Sequence, residues 1–126
     1  MSTALILAID DDEMVLNYLR RMLCNHYTVI TSSAPQTALE MAQNEKPDLI
    51  LCDIDMPDMD GGAVGAALAK NPVTAHIPLM YLTALVSPSE VKELNGIVGG
   101  KPGISKRASL AELIAAIEAQ LARRID

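Results

Sequence analysis

Apolar and polar positions alternate along this chain in two periods. Ala4–Ile9 is a continuous apolar run, the pattern of a strand buried on both faces. From Glu13 to Cys24 the apolar residues change to helical spacing, at Val15, Leu16, Leu19, Met22 and Leu23. Tyr27–Thr31 reads as a short β-branched strand. A helix follows to about Glu45, with Ser33 as its N-cap and Gln36 closing a capping box. Leu49–Asp53 is a third strand, Gly62–Lys70 an Ala-rich helix weakened by Gly65, and Ile77–Thr83 a fourth strand. Ser87-Pro88-Ser89-Glu90 predicts a short helix to about Leu94, and Asn95–Gly103 a glycine-rich loop. Ser109-Leu110-Ala111-Glu112 is a further capping box, opening a last helix with the stripe Leu110, Leu113, Ile114, Ile117 and Leu121.

Strands and helices thus alternate through five βα units. This predicts an α/β fold: a parallel sheet covered by helices on both faces and joined by right-handed crossovers. At 126 residues, with no separating linker, positions 1–126 are read as a single domain. With no Trp and no Phe, the core must be aliphatic.

Net charge −6 argues against nucleic-acid binding, which needs a basic face. No segment is long and apolar enough to span a bilayer, and the short apolar start lacks a signal peptide's basic flank. Cys24 and Cys52 both sit in apolar patterns and read as buried free thiols, which favours a reducing, cytoplasmic setting.

In parallel α/β sheets, ligands bind at the carboxyl ends of the strands. Asp10 and Asp11 follow the first strand, Asp53 ends the third and Thr83 ends the fourth. If the first and third strands are neighbours, Asp10, Asp11 and Asp53 converge. Close carboxylates repel by about 4 kcal/mol per pair at an effective dielectric near 20. A hard divalent cation with oxygen ligands, Mg²⁺, relieves that conflict, and a carboxylate beside Mg²⁺ can accept a phosphoryl group. Thr83 can offer a hydroxyl to the remaining phosphoryl oxygens, and a Lys at the end of the fifth strand a point charge.

Ile9-Asp10-Asp11-Asp12-Glu13, the stretch Pro47–Gly61 around Asp53, Ile77–Ala84 and a fifth-strand Lys together resemble the receiver domain of two-component response regulators, the CheY-like family. The resemblance covers essentially the whole chain. It implies a three-layer, flavodoxin-like, doubly wound (βα)5 fold with strand order 2-1-3-4-5. It also implies that Asp53 is the phosphoacceptor for a sensor histidine kinase or phosphotransfer protein, with self-phosphorylation and autodephosphorylation that depend on Mg²⁺. Carried over by position, Asp10, Asp11, Asp53 and the backbone carbonyl of Asp55 would hold Mg²⁺. Thr83 would bind a phosphoryl oxygen and swing inward on activation. The face made by the family's fourth helix, fifth strand and fifth helix would form a homodimer or meet a downstream effector. Asp12 and Glu13 read instead as helix-starting charges.

Two lysines compete for the fifth-strand position. Lys101 precedes Pro102, as in the family's Lys-Pro dipeptide, but Lys106 stands three residues before Ser109 and keeps the family's interval from Thr83, so Lys106 is preferred. That choice puts Arg107 where the family has a proline, typically after a cis bond, and Gly103 where it has a switch aromatic. The Lys106–Arg107 bond is then either trans, with Lys106 slightly moved, or a strained cis bond. With no side chain at Gly103, output needs another route, such as reordering of Asn95–Gly103.

These departures motivate an alternative: a pseudo-receiver that binds a partner unphosphorylated. Asp10, Asp11, Asp53, Thr83 and a Lys together favour phosphorylation. Asp53-Ile54-Asp55 also resembles the nucleophile motif of haloacid-dehalogenase-type phosphohydrolases. That enzyme reading leaves Asp10 and Asp11 without a role.

Overall fold

In the computed structural model, residues 3–54, 61–83, 97–98 and 101–123 are described. The chain runs β1 (Leu5–Ile9), α1 (Glu13–Leu23), β2 (Thr28–Ser32), α2 (Pro35–Glu45), β3 (Leu49–Asp53), α3 (Gly61–Lys70), β4 (Leu79–Thr83), β5 (Ile97–Val98), β6 (Lys101–Ser105) and α4 (Leu110–Arg123). The helix expected over Ser87–Leu94 lies outside the described residues.

The sheet order is β2-β1-β3-β4-β6-β5. Its five parallel strands, β1 to β4 and β6, keep the expected 2-1-3-4-5 order, and β5 pairs antiparallel with β6 at the edge. The glycine-rich segment expected as loop is therefore partly strand. Val98 pairs with Lys101 and Ile97 with Pro102.

Side-chain alternation along β1 and β3 explains their unbroken apolar runs. Ile6, Ala8, Leu49 and Leu51 pack with Leu16, Leu19 and Leu23 of α1 and Leu113 and Ile117 of α4. Leu7, Ile9, Ile50 and Cys52 pack on the other face, with Ala38 and Ala42 of α2 and Val64 and Leu68 of α3. Both faces are dry, so a polar position in either strand would forfeit roughly 1.5–3 kcal/mol of burial. Of the last helix's stripe, Leu113 and Ile117 are buried and Ile114 and Leu121 partly so, while Leu110 is exposed.

The caps show how local chemistry sets the boundaries. Ser109 and Glu112 form the expected capping box, Ser109 Oγ accepting from Glu112 N–H at 3.1 Å and Glu112 Oε1 from Ser109 N–H at 3.0 Å. The box expected at Ser33 and Gln36 does not form. Ala34 is the N-cap of α2 and makes no side-chain cap bond. Pro35 presets the first helical φ, and Ser32 Oγ already bonds the Ala34 backbone, so the helix starts one residue too late for Ser33 to cap it. Cys24, expected buried, is exposed because it caps the C-terminus of α1, whereas Cys52 is buried.

Gly65 weakens α3 as a helix but is required by its neighbour. A Cβ at this position would clash with the hydroxyl of buried Tyr81 on β4 and stand 3.5 Å from its Cζ. Gly65→Ala should therefore destabilise the protein by about 1–2 kcal/mol, although the same change in an open helix stabilises by roughly 1 kcal/mol. In a Tyr81→Phe background the obstructing oxygen is gone, and the cost should vanish in urea unfolding. An equal loss in both backgrounds would exonerate Tyr81.

Candidate functional site

The strand registers bring the acidic and basic positions to one edge. Ile9 pairs with Cys52, which sets Asp10 level with Asp53. Asp53 pairs with Leu82, and Thr83 with Ser105, so Thr83 and Lys106 follow within a residue or two. All stand at the carboxyl ends of parallel strands.

The triplet Asp10-Asp11-Asp12 divides its work. Asp10 is fully buried, and its Oδ1 accepts the Asp12 N–H at 2.9 Å. Asp11 is half-buried. Asp12 is the N-cap of α1, its Oδ1 accepting Met14 N–H at 2.9 Å, and Glu13 lies in the first turn, as helix-starting charges should.

Lys106 Nζ bridges the two buried carboxylates, 2.8 Å from Asp10 Oδ2 and 3.1 Å from Asp53 Oδ2. Its backbone N–H donates to Thr83 O at 2.8 Å. Thr83 itself is buried. Lys101 starts the same strand, five residues earlier, and so sits about 16 Å away along it. The Lys106–Arg107 bond is trans, as no cis peptide occurs among the described residues.

One oxygen from each of Asp10, Asp11 and Asp53 lies within 4.8 Å of the others. Burial raises the Asp10 carboxyl to about 6 against the pull of Lys106, and the Asp53 charge adds to the rise. Burial works to lower the Lys106 ammonium, but the two carboxylates outweigh it and its pKa is raised. The buried Asp10 Oδ2 meets that ammonium as an ion pair but has no properly angled hydrogen bond among the described residues. One ammonium against three carboxylates leaves an excess of negative charge. An all-oxygen donor set with an under-satisfied buried oxygen fits a hard divalent cation such as Mg²⁺. The fourth expected ligand, the Asp55 carbonyl, lies outside the described residues. Cys52 adds no nucleophile, since burial, then Asp53 and Asp10, push its thiol up to about 12.

The family profile for the response regulator receiver domain matches residues 6–118. This chain belongs to that family. Phosphoryl acceptance is the general function of receiver domains of two-component systems, which bind Mg²⁺ through acidic residues. The receiver is 42% identical over 84 residues to response regulator PleD of Caulobacter vibrioides, covering 66% of this chain and 18% of PleD. It is 38% identical over 120 residues to response regulator MprA of Mycobacterium leprae, covering 94% of this chain and 51% of MprA. The chain thus spans about half or less of the length of these relatives. Among solved structures, a putative response regulator from Chloroflexus aurantiacus superposes with TM-score 0.80 at 26% identity, covering 96% of this receiver and 99% of that chain. In the described part of the receiver, no helix is long and apolar enough to cross a membrane.

One polar residue at this edge was not read from the sequence. Ser105 is buried beside Thr83, and its Oγ accepts the Arg107 N–H at 3.1 Å. The signal available was a Ser two residues before a backbone donor, the spacing of a local side-chain turn.

Proposed function

We propose that Asp53 is the phosphoacceptor of this receiver, taking a phosphoryl group from the phosphohistidine of a sensor kinase or phosphotransfer protein. The observation that carries this reading is Lys106 Nζ bridging Asp10 and Asp53 at 2.8 and 3.1 Å. An Asp53 oxygen attacks phosphorus as the donor's N–P bond breaks, and an acyl phosphate forms on the side chain. Lys106 follows the charge, exchanging the Asp53 carboxylate for a phosphoryl oxygen without leaving Asp10. The Thr83 hydroxyl is the partner for a second oxygen. Asp10, Asp11 and Asp53, with the Asp55 carbonyl, would hold Mg²⁺, which when bound supplies charge neutralisation for the phosphoryl oxygens. Hydrolysis of the acyl phosphate resets the site. The output passes to an effector domain or protein, or to a second receiver through the family's dimer face.

Incubation with Mg²⁺ and a small phosphodonor should add the mass of one phosphoryl group to the intact protein, and Asp53→Asn should abolish the gain. No gain in the unmodified protein, or one that survives Asp53→Asn, would favour an unphosphorylated binding module instead.

A further inference from the structure

We propose that Ser105 is a positioning residue for Lys106, acting through the hydrogen bond its buried hydroxyl oxygen accepts from the Arg107 backbone. The proposal rests on Lys106 serving the Asp53 phosphoacceptor site. A lysine amine rides on four flexible carbons, so its aim depends on how firmly its own backbone is held. Here the backbone is held on both sides. Before Lys106, Ser105 is the last residue of β6, in register with Thr83 and 2% exposed. At Lys106 itself, the N–H donates to Thr83 O at 2.8 Å. After it, the chain turns back: Arg107 N–H donates to Ser105 Oγ at 3.1 Å and Ala108 N–H to Ser105 O at 3.0 Å.

The first of these two turn bonds needs an N–H at residue 107, which a proline lacks. Arg107 is exposed, so its contribution to the turn is this backbone donor. The Ser105 hydroxyl and the Arg107 N–H thus form one device. It closes a tight turn with a trans Lys106–Arg107 bond and sets Nζ between Asp10 and Asp53. Removing the hydroxyl leaves the strand pairing and the Ala108–Ser105 backbone bond intact and loosens the turn at Arg107. A shift of well under 1 Å at Nζ suffices to slow transfer about tenfold.

The test uses the full chain with Ser105→Ala, and the isosteric pair Ser105→Thr and Ser105→Val in case alanine compromises folding. Phosphoryl uptake from a small donor with Mg²⁺ is followed by intact mass. Acetylation of the Lys106 amine by a water-soluble acetylating reagent is followed by peptide mass. Ser105→Ala and Ser105→Val should each slow uptake about tenfold and speed Lys106 acetylation by a similar factor, while Ser105→Thr should behave as the unmodified protein. In a Lys106→Ala background, Ser105→Ala should slow uptake no further, because the hydroxyl acts only through that amine. Equal acetylation in all Ser105 variants, an effect on uptake that persists without Lys106, or Thr and Val behaving alike would each overturn the proposal. If the unmodified protein takes up no phosphoryl group, the phosphoacceptor reading fails, and the acetylation rates still decide whether Ser105 holds Lys106.

Discussion

Lys106→Ala should slow phosphoryl uptake by about a hundredfold or more, and should destabilise the metal-free protein at neutral pH by roughly 3 kcal/mol. The size follows from burial. Asp10 is inaccessible, Asp53 is 1% exposed, and the Lys106 side chain is only 19% exposed. At about 3 Å and an effective dielectric near 20, each contact is worth roughly 5 kcal/mol before the cost of desolvation. Most of that gain offsets desolvation, so the intact pair contributes little net stability. Removing the amine alone leaves two buried carboxylates facing each other, and that cost is not offset. A divalent cation at the same carboxylates would replace the missing charge. Saturating Mg²⁺ should therefore recover most of the lost stability and little of the lost rate, because the amine that meets the phosphoryl oxygen is still absent. Urea unfolding with and without Mg²⁺, beside uptake followed by intact mass, separates the two effects. An uptake rate within a few-fold of the unmodified protein would remove Lys106 from the transfer step.

Asp10→Asn should stabilise the metal-free protein above pH 6 and leave it unchanged near pH 4, relative to the unmodified chain. The Asp10 carboxyl sits at about 6 in the fold against 3.8 when unperturbed, because burial penalises its charge. Between those values the native state binds more protons than the unfolded state, so stability falls as pH rises through the window. The penalty is complete above about pH 6 and absent below about pH 4. That rise, from 3.8 to about 6, corresponds to at most roughly 3 kcal/mol. Asparagine keeps the shape and cannot ionise, so it escapes the penalty. Mg²⁺ should invert the ranking at pH 7, stabilising the unmodified protein and not the variant. Denaturation series in chelator at pH 4, 5, 6 and 7 check the sign. Parallel curves for the two proteins would show that Asp10 ionises in the fold without cost.

Asp10, Asp53 and Lys106 differ in how legible they are in the sequence. Asp10, Asp11 and Asp53 each end a recognisable apolar run, so their place at the strand ends could be read directly. Lys106 ends no such run and is preferred over Lys101, the better local match beside Pro102, only through its intervals to Thr83 and Ser109. The pairing of Thr83 with Ser105 sets Lys106 at the acidic edge and Lys101 at the far end of β6. The trans Lys106–Arg107 bond belongs with this. Two geometries were open from the dipeptide; the bond is trans, the form a non-proline peptide favours by roughly 3 kcal/mol, and the Arg107 N–H donates to the Ser105 hydroxyl.

Local interactions alone determined much of the chain. The apolar runs of β1 and β3 specify strands buried on both sides, since any register or face they adopt is dry. Ser109 and Glu112 cap α4 with atoms three residues apart. Asp12 caps α1 with atoms two residues away. Such features need only neighbours within a turn, so composition and spacing suffice to show them. Tertiary structure decided the rest. Gly65 reads as a weak point in a helix until Tyr81 of β4 occupies the space its missing Cβ leaves. The glycine-rich segment reads as loop until β6 offers Ile97 and Val98 a paired edge. Ser33 reads as a cap until Ser32 and Pro35 start α2 one residue later. The meeting of Asp10, Asp53 and Lys106 is of the same kind, because charges from three separate strands act on one another only after the register sets them within 3.1 Å.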